Sequence, residues 1–107
     1  MNDVTPLLTA VDRLADRLRT LPQSALQRGG AAEALALARE LAQWAQEIEE
    51  PGRTPRTVPD AGLFAVGDQV AVAGHDLAEA LRDAAEGEGL LARAVDRVAE
   101  AAAKIAP

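Results

Sequence analysis

The chain has 107 residues and no cysteine, which excludes disulfides, thiolate metal sites and cysteine nucleophiles. A single histidine excludes every catalytic design that needs two, and a net charge of −6 argues against a nucleic-acid backbone or an anionic membrane as partner. With 49% apolar and 26% charged residues the composition is globular, at a length that suits one helical domain over 1–107.

Alanine and glycine supply 25 and 8 residues, so the core is thin and its helices must approach closely to fill it. Lys104 is the only lysine among 11 basic residues, a usage associated with GC-rich bacterial genomes. The first residues lack the basic patch and apolar run of a signal peptide. The longest apolar stretch, 61–74, is interrupted by Asp68 and Gln69 and is too short to span a bilayer. A cytoplasmic location is the expectation.

Thr5 and Pro6 open the first helix as cap and first-turn residue. Leu7, Val11, Leu14, Leu18 and Leu21 recur at steps of three and four on one face, with Asp12, Asp16 and Arg19 opposite. This helix reads over 6–28 with a break near Pro22, which lacks a backbone donor, and Gly29-Gly30 ends it. The second helix, 31–50, carries Ala34, Leu37, Leu41, Ala45 and Ile48, with Trp44 at the edge of the stripe. Its last turn holds Glu47, Glu49 and Glu50, where the helix dipole disfavours negative charge, and Arg53 and Arg56 follow to offset it.

Residues 51–59 form a linker with three prolines, extended and semi-rigid, able to cross one end of a bundle or to run along its length. The third segment, 60–85, reads two ways at first. Residues 63–72 suit two short strands around Gly67-Asp68, but a lone hairpin beside three helices is only marginally stable. Leu63, Val66, Val70, Ala73, Leu77, Leu81 and Ala84 hold one stripe throughout, which predicts a helix. After a turn at 86–89, the fourth helix, 90–106, presents Leu91, Val95, Val98, Ala102 and Ile105. Its phrase 94–100 matches 10–16 in five positions, which shared amphipathic vocabulary explains more simply than duplication. Four such helices predict an all-α fold, an antiparallel four-helix bundle of two helical hairpins joined by the Pro-rich linker.

Chemistry is sparse. At 100° per residue, His75 points about 160° from its helix's apolar stripe, toward solvent. His75-Asp76-Leu77 resembles the His-x-Leu opening of the phosphotransfer-histidine motif, which sits mid-helix on four-helix bundles, and the resemblance implies phosphotransfer at His75. That motif continues with a lysine and a small residue, where this chain has Ala78 and Glu79. The plainer reading is a surface histidine beside Glu79, one turn on. Glu47-x-x-Glu50 and Asp76-x-x-Glu79 resemble the Mg²⁺-binding acidic pairs of all-α nucleotide pyrophosphohydrolases, which implies a divalent-metal-dependent hydrolase. Glu47 and Glu50 face away from the core stripe, however, whereas a metal site inside a bundle needs inward acids. A solvated charged face is the plainer reading. Length, acidity and alanine content also resemble secreted helical-hairpin effectors of the type VII kind, but their Trp-x-Gly turn and tyrosine export signal are missing.

Gly67, Ala71, Gly74 and Ala78 form a second stripe, of small residues. Each interior glycine costs about 1 kcal/mol of helix stability, so two on one face suggest close backbone approach. A helix of the same bundle is a plainer partner for them than a second chain. Phe64 and Val72 fit neither stripe and read as partner contacts. The sequence therefore points to a non-enzymatic helical module for protein–protein interaction, regulatory or structural, with self-association as a homodimer included. It calls for no cofactor, no metal, no nucleic acid and no membrane.

Overall fold

A computed structural model describes residues 1–105, and these are all-helical, with no strand among them. Four long helices form a four-helix bundle: α1 (Thr5–Thr20), α3 (Ala31–Glu49), α4 (Val66–Arg82) and α5 (Glu88–Lys104), with a single turn, α2 (Gln23–Ala25), between the first two. Residue 106, the end of the expected fourth helix, lies outside the described residues.

The breaks have local causes. Leu21 and Pro22 are extended, at ψ 141° and 148°, because proline disfavours helical backbone before it and interrupts the ladder. Residues Leu26–Gly30 form a wide turn in which Gly29 takes φ 128°, a backbone that side chains rarely adopt. Residues 60–62, expected to be helical, are not. Asp60 Oδ1 accepts a hydrogen bond from the Gly62 amide (2.9 Å), and Gly62 turns at φ 96° into a 3₁₀ turn, Leu63–Ala65, that leads into α4. The helix then ends at Arg82, short of the expected residue 85. There the Asn2 side chain donates to the carbonyls of Leu81 (2.7 Å) and Ala84 (3.0 Å). Each of those carbonyls also accepts a long backbone bond, from the Ala84 and Gly87 amides (both 3.3 Å), and Asn2 supplies the shorter one at this helix end.

Packing does not follow chain order. The α4 helix lies against both α1 and α3, and α5 also contacts α1 and α3, more sparsely. Asp12 meets His75 and Arg19 meets Asp68, so α1 and α4 are antiparallel. On α3, the linker peptides Arg56 and Val58 pair with Gln46 and Arg39 in turn, so the linker climbs back along the bundle. It delivers α4 parallel to α3. Arg17 near the end of α1 donates to the carbonyls of Ala102 and Ile105, so α1 and α5, which share the repeated phrase, are parallel neighbours.

The core follows from the stripes. Leu7, Val11, Leu14 and Leu18 of α1 meet Leu37 and Leu41 of α3 and Val70, Leu77 and Leu81 of α4, all nearly or fully inaccessible. In α5 the buried row is Ala94, Val98, Ala101 and Ile105, while Leu91, Val95 and Ala102 are half-buried at its edge. The expected face is thus rotated. Alanines at 94 and 101 let the backbone come close, and the larger side chains straddle the seam. No helix among the described residues is long and apolar enough to cross a membrane.

Candidate functional site

The small-residue stripe faces α1. A Cβ at Gly74 would lie 2.5 Å from both γ-carbons of Val11, and one at Gly67 would lie 2.9 Å from Arg19 Cγ and 3.1 Å from the Ala15 carbonyl oxygen. Gly67, Gly74 and Ala78 are buried and Ala71 is half-buried, so this face is occupied within the chain.

His75 is exposed. Its Nε2 lies 2.7 Å from Asp12 Oδ1 on α1, and Glu79 turns instead to Arg82 (3.7 Å). The close approach at Gly74 brings Asp12 within reach, which replaces the expected His75–Glu79 contact. The Asp12 carboxylate sets negative charge against the imidazole. A phosphohistidine gains nothing from such a field.

The acidic pairs do not converge. Glu47 accepts a hydrogen bond from Gln43 (3.0 Å), and Glu50 pairs with Arg56 (3.2 Å) and Arg53 (3.9 Å). Those arginines therefore do meet the negative end of α3. Asp76 and Glu79 stand on α4, and among the described residues no group of three or more His, Asp or Glu side chains could hold a metal ion.

A feature absent from the sequence reading lies between α3, the linker and α4. Proline-rich backbone cannot satisfy itself, so side chains of the flanking helices anchor it. Arg39 Nε donates to the Val58 carbonyl (2.8 Å), and Gln69 Nε2 donates to the Pro59 carbonyl (2.8 Å). Gln46 brackets Arg56, donating to its carbonyl (3.0 Å) and accepting from its amide (2.7 Å). The strap leaves a hollow on each side of Val58. One, of about 300 Å³, is walled by Ala42, Val58, Ala61, Ala65, Val72 and Ala73. The other, of about 400 Å³, is lined by Gln46, Glu49, Glu50 and Arg56. Asp76 lines both.

Phe64, next in the chain to Ala65, is 73% exposed, and Val72 is 62% exposed. Apart from Met1 they are the exposed large apolar side chains among the described residues. The polar anchors Arg39, Gln46 and Gln69 were the available sequence signal, but nothing in their spacing links them to the linker. Comparison with family models, curated proteins and solved structures found no match.

Proposed function

We propose that this chain is a non-enzymatic helical module for protein–protein interaction, of bacterial origin and regulatory or structural in role. The observation that carries the reading is the exposure of Val72 on the wall of an open apolar hollow, with exposed Phe64 next in the chain to the wall residue Ala65. Exposed apolar surface next to a concave face is the common mark of a binding surface. Phosphotransfer at His75 has mid-helix exposure in its favour and the Asp12 carboxylate against the imidazole to its disadvantage, and no observation raises it above the first reading. Nor does any geometry favour a metal-dependent hydrolase.

The test is photo-crosslinking in the cell that makes the protein, with a photoreactive phenylalanine placed at position 64 and, as control, at the exposed Glu86. A discrete adduct from position 64, with another protein or with a second copy, supports the module. Equal, diffuse labelling from both positions overturns it.

A further inference from the structure

Resting on that interaction reading, we propose the site and the chemistry of the partner: the groove between α3, the linker and α4 docks a short basic amphipathic segment of a different protein. An apolar side chain of that segment seats in the hollow beside Val58, and a lysine or arginine pairs with Asp76.

The two halves of the groove differ in kind. The smaller hollow is walled mainly by alanine and valine methyl groups, with Asp68, Gln69 and Asp76 at its edge, and has a volume suited to one large apolar side chain. Val72 of this wall is exposed, as is Phe64, the chain neighbour of Ala65. The one polar amide there, Gln69, gives its Nε2 to Pro59, while its Oε1 is shut off from solvent without a hydrogen-bond partner among the described residues. The larger hollow is acidic. Glu50 is neutralised by Arg53 and Arg56, but Glu49 and Asp76 have no ion-pair partner among the described residues. The groove therefore offers methyl groups at one end, the uncompensated Glu49 carboxylate at the other, and the uncompensated Asp76 carboxylate where the two hollows meet.

Charge decides between occupants. A second copy would bring a further net charge of −6 to an already acidic groove. A basic segment meets it with complementary potential, which favours encounter and register. Size agrees. From Ala65 to Asp76 the face runs eleven residues of helix, about 16 Å, the length of roughly three helical turns of a docked segment.

The experiment titrates the full ¹⁵N-labelled chain with a peptide of about twelve residues, leucine and lysine at helical spacing, and with its leucine–glutamate counterpart. The lysine peptide should shift the amides of Ala42, Val58, Val72 and Asp76, and the glutamate peptide should leave them in place. Asp76→Lys, at an exposed position, should weaken binding about tenfold. Ala61→Trp, also exposed, should block it by filling the hollow while the free protein's spectrum stays folded. Shifts spread over every acidic surface, or equal binding of both peptides, would overturn the proposal. So would sedimentation showing a dimer whose groove amides change on dilution, which makes the occupant a second copy. A discrete crosslink at position 64 together with an unresponsive groove leaves the module standing and removes this partner. Failure of both tests removes both.

Discussion

A β-carbon at Gly74 would sit closer to Val11 than packed carbons allow, with both γ-carbons at 2.5 Å. Gly74→Ala gains about 1 kcal/mol of helix propensity. Against that stands overpacking of a fully buried valine, about 1–3 kcal/mol. We expect a net loss by chemical denaturation. We also expect Val11→Ala to rescue it, so that the double variant is less destabilised than the two losses added, by about 1 kcal/mol or more. Strict additivity would show that the glycine is not there to make room. Gly67→Ala should cost less, because its β-carbon would meet one Arg19 stem carbon at 2.9 Å and the Ala15 carbonyl oxygen at 3.1 Å, against two γ-carbons at 2.5 Å at Gly74. The close approach was legible from the spacing 67, 71, 74, 78; that α1 is the helix approached was not, since small residues name no partner.

A second residue-scale prediction concerns Glu100 and Lys104, paired at 2.9 Å one turn apart. The hydrogen bond from Lys104 holds the Glu100 carboxyl below its ordinary 4.5, and the same bond raises Lys104 above 10.5. The carboxylate's contribution is complete above 4.5 and is lost as pH falls through its lowered value. The ammonium's contribution is complete below 10.5 and is lost as pH rises through its raised value. Glu100→Gln should therefore flatten the pH dependence of stability at both ends and leave its shape at neutral pH unchanged, as read from denaturation midpoints across pH. Both groups are exposed, so the effect is small.

At the scale of elements, the four apolar stripes were readable because core-facing residues recur at helical spacing whatever their neighbours are. The phase of α5 was misread because its contact row is half alanine. Ala94 and Ala101 carry little weight in a pattern of large apolar residues, yet they are as fully buried as Val98 and Ile105. The path of the linker was not legible either. Its length permits an end crossing or a run along the bundle, and the choice rests on the anchors Arg39, Gln46 and Gln69 on other elements. Between α3 and α5 stands Arg97, only 16% exposed, bonded to Glu33 (3.0 Å) and to Glu40. Burial works against its charge, but the hydrogen bonds to Glu40 and then Glu33 outweigh it and raise its pKa above the ordinary range. Arg97→Ala leaves two carboxylates facing each other. Breaking a buried pair costs roughly 3–5 kcal/mol, and the part-exposed Glu40 lowers this to about 1–3 kcal/mol. Thermal or urea denaturation measures it, and a loss under 0.5 kcal/mol would show the trio to be solvated.

The whole molecule is flattened, with extents of 42 × 27 × 16 Å, and its cohesion is uneven. In α4, eight of 17 residues are buried, because the helix is gripped by α1 on one side and α3 on the other. In α5, three of 17 are buried. What holds α5 is partly polar: Arg17 on the carbonyls at its end and Arg97 on the acids of α3. Local opening follows the density of buried apolar contact, so helices of one bundle need not open together. Native-state hydrogen exchange should find the amides of Val70 and Leu77 exchanging only through global unfolding, and those of α5 through a smaller opening of lower free energy. Salt should widen the gap, since screening weakens the part-exposed Arg97 clasp and leaves the α1–α4–α3 core untouched. Equal protection of α4 and α5, with no response to salt, would mean that the few residues α5 buries are enough to bind it as firmly as the rest.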